Sequence, residues 1–327
     1  MNKRTYVYIL GASHSGSTLL ALLLNGHPDI ATVGETDPDG RIDAQGYRCS
    51  CGEVLKACPF WQEVAQRMRA RHSRFSLDHF GTSLRCRRAP LANRMLRLEH
   101  RGSAAEAVRD AMLSLSPGWR RSKPDILRTC RDLAETVLEI TGARVFVDSS
   151  KRAHRLKFLL DLPDADVKVI RIVRDGRAVA LTYMDQDAFA DAADPRRRRG
   201  GLGPDAPATR TVLTAQQAAA EWMRYIRSEE HLLQRLAPDQ WRQIRYEQLC
   251  DDPAATLEGL FHFIGVAPNT YEPDFRRAAH HIIGNGMRLD ATSAIHCDQR
   301  WRQALNAEDR RQLILIAGKA LRQLGYA

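Results

Sequence analysis

Three features of the sequence predict an α/β fold built on a parallel sheet. A β-branched and aromatic run near the N-terminus passes through a Gly/Ser-rich turn straight into a Leu-rich segment. The same order of strand, turn and helix recurs twice between residues 145 and 184. A last short strand near residue 245 leads into a helix that ends at a glycine. Strands alternating with helices imply parallel strands covered on both faces, with ligands bound at the carboxyl ends of the strands.

Taken in order, Thr5 to Leu10 (T-Y-V-Y-I-L) reads as a buried strand, and Thr18 to Asn25 as a helix stopped by Gly26 and Pro28. Val145 to Val147 is a second strand, leading through Asp148-Ser149-Ser150-Lys151 into a helix at 152–162. Val167 to Val173 is a third, leading through Arg174 to Arg177 into a helix reaching Met184. Gln243 to Tyr246 is a short strand, followed by a helix from Pro253 to Ile264 that Gly265 ends. Helices are also expected at Ala215–Leu236 and Ala307–Leu324. Residues 41–144 break the alternation: they are Arg-rich and mostly helical in pattern, best at Ala104–Leu115 and Asp125–Thr141. Residues 185–214, with Pro195 and four successive arginines, read as a mobile basic loop. The expected organisation is one domain over 1–327 with a helical insertion.

The chain has 327 residues, 44% apolar and 27% charged, which excludes a disordered or fibrous protein. A formal charge of +10 favours anionic partners without choosing among them. Seven cysteines argue against a paired disulfide framework. No segment approaches the roughly 20 apolar residues of a membrane span, and no cleavage site follows the basic N-terminus, so a cytoplasmic protein is expected.

Residues 11–18, G-A-S-H-S-G-S-T, have the G-x-x-x-x-G frame of a P-loop between a strand and a helix. There, successive backbone N–H groups and the helix N-terminus can surround phosphate oxygens. Ser17 stands where a nucleoside-triphosphate site needs Lys, and no acidic strand end offers itself for Mg²⁺, which disfavours an ATPase or kinase. A Gly/Ser turn that binds nothing stays open.

Together with V-R-D-G-R-A at 173–178 and Y-E-Q-L at 246–249, this loop resembles the sulfotransferases that use 3′-phosphoadenylyl sulfate (PAPS). The resemblance spans residues 5–36, 145–184 and 241–265. It implies that Ser13, His14, Ser15, Gly16, Ser17 and Thr18 hold the 5′-phosphosulfate and that Arg174 and Thr182 hold the 3′-phosphate, with Tyr246 at the adenine end. The family usually has Lys or Arg where this chain has His14, whose imidazolium would stabilise the departing oxygen. Glu35 resembles the catalytic glutamate of tyrosylprotein sulfotransferases, which makes it the candidate general base; a Glu that merely pairs with an arginine is the alternative. Lys151 resembles the lysine that stabilises the transferring group, while Ser149 or Ser150 would cap the next helix. Arg288, in a Gly-rich turn, is a weaker candidate for the 3′-phosphate. His154, His280 and His281 are reserve bases.

Cys49, Cys51 and Cys58 form C-x-C-x₆-C, able to hold zinc with His72 or His79, or to oxidise; the segment also resembles bacterial-type sulfotransferases, which implies a structural hairpin beside the acceptor pocket. The spacing lacks paired C-x₂-C knuckles and sulfuryl transfer needs no metal, so none is assigned. Arg196 to Arg199 lack interleaved aromatics, so no nucleic-acid partner is expected; closure of that loop over an anionic acceptor is the sharper alternative to a solvated loop. The function expected is sulfuryl transfer from PAPS to a hydroxyl of a carbohydrate, lipid, natural product or tyrosyl group. Its rivals are an atypical P-loop kinase and a nucleotide-binding scaffold without turnover.

Overall fold

The computed structural model describes residues 4–37, 44–71, 74–84, 90–96, 102–185, 212–269 and 271–326. Five strands, β1 (Arg4–Leu10), β2 (Ile30–Thr32), β3 (Val145–Lys151), β4 (Ala165–Val173) and β5 (Trp241–Arg245), form one sheet in the order β2-β3-β1-β4-β5. All four pairings are parallel. Period-two alternation divides the sheet residues between two cores. Tyr6, Tyr8 and Phe146 face the helices α2 (Pro59–Ala70) and α5 (Pro117–Thr141). Val7, Ile9, Val145 and Val147 face α1 (Ser17–Leu24) and α10 (Pro253–Ile264). The expected parallel α/β architecture is present.

Among its described residues, the region 41–144 supplies four helices: α2, α3 (Pro90–Leu96), α4 (Ser103–Leu115) and α5. Their apolar faces share one cluster with the sheet, so the insertion is packed onto the strands. Helix α5 starts eight residues before the expected Asp125 and runs through Pro124. Pro117 occupies its first turn and Ser116 Oγ accepts from the Trp119 N–H, while Pro124 is exposed. A proline costs one backbone bond, and here an exposed site lets water take the freed carbonyl while Trp119, Ile126 and Leu127 bury the opposite face.

β3 also outruns its expected end at Val147, carrying Asp148, Ser149, Ser150 and Lys151 as strand residues. Asp and Ser are poor strand formers, but here their polar groups are satisfied by partners from a neighbouring segment. Ser150 does not cap α6 (Ala153–Leu159), whose N-terminus at Arg152 has no side-chain cap. Its hydroxyl accepts from the N–H groups of Thr36 (3.0 Å) and Asp37 (3.2 Å). Helices α7 (Gly176–Met184), α8 (Ala215–Leu233), α9 (Tyr246–Asp251), α11 (Trp301–Ala304) and α12 (Ala307–Gln323) complete the fold. A buried Arg171–Glu229 pair at 2.9 Å ties α8 to β4. Arg196–Arg199 and most of 185–214 lie outside the described residues, as does His72.

Candidate active site

The loop after β1 lies at the carboxyl end of the sheet. Its first N–H, on Gly11, donates to the Lys151 carbonyl at 3.1 Å, which sets the loop against the end of β3. His14 and Gly16 both have positive φ, 67° and 90°. Histidine is among the residues that tolerate this region better than most; Gly16 is required for a second reason. A Cβ there would lie 2.4 Å from Cδ2 of Tyr246, so the loop rests directly on that ring. Gly16 precedes α1 without a side-chain cap, which leaves the first turn open to an anion. Ser15 Oγ is buried with no hydrogen-bond partner among the described residues. Ser17 and Thr18 are buried in the first turn of α1, Ser13 Oγ lies 3.5 Å from the Tyr225 hydroxyl, and the His14 ring meets the Tyr183 ring edge-on.

Glu35 and Lys151, 116 residues apart, meet at 2.5 Å between Oε1 and Nζ. A buried network sets this pair. Asp148, fully buried, accepts from Tyr6 Oη (2.8 Å), Thr36 Oγ1 (2.7 Å), the Ser150 N–H (2.9 Å) and Arg155 Nη2 (3.4 Å). Arg155 also donates to the Thr82 carbonyl and to Thr36 Oγ1. Residues 35–37 are thereby fixed to the end of β3 on one side. On the other, the Glu35 N–H donates to the Ile283 carbonyl (3.2 Å), and the Ile283 N–H to Val33 (2.9 Å). Burial and the Asp148 charge push the Tyr6 hydroxyl well above its ordinary pKa, so it remains a donor.

Arg174 is buried at the end of β4. It donates to the His14 carbonyl (2.9 Å) and to Asp298 (3.0 Å), and its guanidinium stacks on Tyr246 at 4.6 Å. One arginine thus links the loop, Tyr246 and the C-terminal segment. Desolvation raises the Asp298 pKa, but hydrogen bonds from Arg300 and the charge of Arg174 outweigh it and hold the carboxyl well below its usual range. Tyr246 donates to the His296 carbonyl at 3.2 Å. Thr182 is buried and its hydroxyl donates to the Val179 carbonyl of its own helix. Arg288, only 1% exposed, donates to the carbonyls of Arg48, Gly284 and Asn285 and stacks on Tyr47. These bonds make it a clamp on its own turn.

The reserve histidines separate. His154 packs edge-on against Phe158, and His280 bridges Asn25 and the Phe275 carbonyl, its burial pulling its pKa down. His281 instead joins Cys49, Cys51 and Cys58, the four ligand atoms lying within 4.8 Å of one another. His79, whose backbone pairs with Ser76, is absent from that group. The Asp148–Arg155 network, Asp298 and the His281 partner were not singled out from the sequence. Only the strand-end position of Asp148 offered a signal for any of them.

The loop after β1, Glu35 and Lys151 thus meet at the carboxyl ends of a parallel sheet. Residues 7–270 match the model described as "Sulfotransferase family", and the chain belongs to that family. It is 28% identical over 176 residues to mouse carbohydrate sulfotransferase 5, covering 51% of this chain and 44% of that one. It is 24% identical to mouse carbohydrate sulfotransferase 2, covering 99% of this chain and 66% of that one. The chain therefore spans less than two thirds of the length of either relative. Among solved structures it is similar to the sulfotransferase domain of the curacin biosynthetic pathway, at 19% identity and a TM-score of 0.47, covering 100% of this chain and 99% of that one. No helix among the described residues is long and apolar enough to cross a membrane.

Proposed function

We propose that the chain transfers a sulfuryl group in line from PAPS to an acceptor hydroxyl. The observation that carries this reading is the Glu35–Lys151 contact at the strand ends, held to the first residue of the anion loop through the Gly11–Lys151 backbone bond. The 5′-phosphosulfate would sit on the N–H groups of residues 13–18, where Ser15 Oγ would gain the partner it lacks. Arg174 and Thr182 would take the 3′-phosphate, Arg174 exchanging its contact with Asp298, and Tyr246 would line the adenine end.

In the transfer, an acceptor oxygen forms a bond to sulfur as its proton passes to the Glu35 carboxylate. The bond from sulfur to the bridging phosphate oxygen breaks, and its electron pair stays on the phosphate, leaving adenosine 3′,5′-bisphosphate. Lys151 and the His14 imidazolium would stabilise charge on the transferring group and the departing oxygen. Positioning and charge stabilisation supply most of the rate enhancement, as in phosphoryl transfer. The names of the two relatives make carbohydrate hydroxyls the first acceptors to screen.

Kinase chemistry is disfavoured by the strand ends themselves. Asp148 stands on the strand beside β1, where a Mg²⁺-holding acid would be sought, but it is fully buried and committed to Tyr6, Thr36, Ser150 and Arg155. Asp175 caps α7 and pairs with Arg177. The test is release of adenosine 3′,5′-bisphosphate from PAPS across a panel of carbohydrate hydroxyls. Acceptor-dependent release supports the proposal; ATP consumption with Mg²⁺ and no use of PAPS refutes it.

A further inference from the structure

Cys49, Cys51 and Cys58 stand on the turn-rich segment 47–58 that opens the insertion, and His281 comes from the far end of the chain. Folding converges the four. Cys51 Sγ lies 3.6 Å from Cys58 Sγ, and His281 Nδ1 lies 3.4 Å from Cys58 Sγ and 3.7 Å from Cys49 Sγ. A tetrahedral zinc ion with bonds of about 2.3 Å to sulfur and 2.0–2.1 Å to nitrogen sets edges of roughly 3.8 Å between sulfurs and 3.6 Å from sulfur to nitrogen. These three spacings lie within about 0.2 Å of those edges; the four ligand atoms together span up to 4.8 Å, so a bound ion would draw the widest pair in by about 1 Å.

A cysteine pair awaiting oxidation would account for two of these groups and leave the third thiol and the imidazole without a reason to converge. The histidine is also oriented. Its ring stacks on Phe60 at 4.4 Å with an interplanar angle of 3°, which turns Nδ1 towards the thiols. The backbone around the cysteines is pinned by the bonds Cys49 N–H to Glu53, Gly52 N–H to Cys49 and Cys58 N–H to Val54. Cys51 is exposed, and a cavity lined by Cys51, His281, Arg276 and Asp290 gives an ion a way in.

We propose that Cys49, Cys51, Cys58 and His281 form a closed, structural zinc site that fastens the start of the insertion to residues 281–284. Three thiols lose their protons on binding, and the imidazole donates a lone pair, so the ion fills all four positions with protein and leaves none for substrate. The site has a consequence for the strand ends. The fastened segment continues to Ile283, which exchanges hydrogen bonds with Val33 and Glu35, and Gly34 lies so close to Ile283 that a Cβ there would stand 2.1 Å from its carbonyl oxygen. Ser50 and Ile282 add a reciprocal pair of bonds, and the Tyr47 hydroxyl bonds Gly284 in both directions. Zinc would thus act as a positioning group for the backbone that carries Glu35.

The experiment takes the full chain, expressed with zinc and purified under reducing conditions, and measures metal content and amide exchange; neither reading depends on catalysis. About one tightly held zinc per chain is expected, replaceable by Co²⁺ with the absorption of a tetrahedral thiolate site. Cys58→Ser and His281→Gln should lose it, whereas Cys297→Ser should retain it. Removing zinc from the wild-type chain with a chelator should speed exchange of the Ile283 and Glu35 amides at least tenfold. A wild-type chain that holds no zinc, takes up no Co²⁺ and shows freely reacting or disulfide-linked thiols overturns the site. A zinc-loaded chain whose Ile283 and Glu35 amides are indifferent to chelation overturns the positioning role. Bisphosphate binding, measured on the same samples, reports separately on the donor site.

Discussion

Replacing Gly16 by Ala tests how the anion loop is seated. The added methyl carbon would stand 2.4 Å from Cδ2 and 3.0 Å from Cε2 of Tyr246, on a residue whose φ is +90°. Holding an L-residue in the left-handed region costs about 1–2 kcal/mol. Forcing a methyl into a packed contact costs about 1–3 kcal/mol more. Unfolding entropy scaled to 327 residues converts each kcal/mol into roughly 1.5 °C of Tm, so a fall of about 3–7 °C is expected in calorimetry. Tyr246 is held by Arg174 stacking and by its bond to the His296 carbonyl, so the loop should yield before the ring does. Affinity for adenosine 3′,5′-bisphosphate should therefore fall as well. The decisive comparison is Gly16→Ala in a Tyr246→Ala background, where the steric part vanishes and only the conformational cost remains. A coupling energy of about 1–3 kcal/mol between the two substitutions is expected. Strict additivity, or a single variant with unchanged Tm and affinity, would refute the seating of Gly16 on Tyr246.

Other perturbations separate the remaining roles. Glu35→Gln should lower kcat by about 10²–10⁴ while leaving bisphosphate affinity intact, as titration calorimetry beside steady-state rates would show; unchanged turnover would remove Glu35 as the base. Arg174→Ala should abolish the preference for a 3′-phosphate, and equal losses for the bisphosphate and AMP would instead mark it as loop support only. Arg155→Met should cost about 3–5 kcal/mol in denaturant unfolding, since it strands the buried Asp148 carboxylate; a loss below 1 kcal/mol would show that the network is dispensable. Burial raises the Cys130 thiol to about 11, so the folded state keeps a proton that the unfolded state gives up above its ordinary value near 9. Its contribution to stability should be complete below pH 9 and decline from pH 9 to 11, and Cys130 should resist thiol reagents at pH 8 until the chain unfolds.

The fold was largely legible because its strands are short, β-branched and followed by helices with clear stops at Gly26 and Gly265. Pro124 signals a break in the sequence, so a helix is expected only from Asp125, and only the tertiary burial of Trp119 and Ile126 shows why α5 passes it. The full length of β3 is hidden for a related reason: Asp148 and Ser150 look like turn residues until their partners Tyr6, Thr36 and Arg155 are in place. The loop at 11–18 was visible as a local motif, and Glu35 and Lys151 were legible as separate candidates. Their contact was not, since 116 residues separate them and the Asp148–Arg155 network that sets it is wholly non-local. The same limit hid His281 from the cysteines, for which His72 and His79 were the nearer histidines in sequence. The Gly-rich setting of Arg288 points to the 3′-phosphate, while its donation to three backbone carbonyls is fixed by the folded turn and has no signature in the sequence.

The most direct test of the central claim is calorimetric binding of adenosine 3′,5′-bisphosphate beside AMP, ADP and ATP with Mg²⁺. A donor site built from the 13–18 loop, Arg174 and Thr182 predicts micromolar or tighter binding of the bisphosphate. AMP and ADP should bind at least about tenfold more weakly, or 1.4 kcal/mol. No binding of the bisphosphate, or a clear preference for ATP with Mg²⁺, would contradict it.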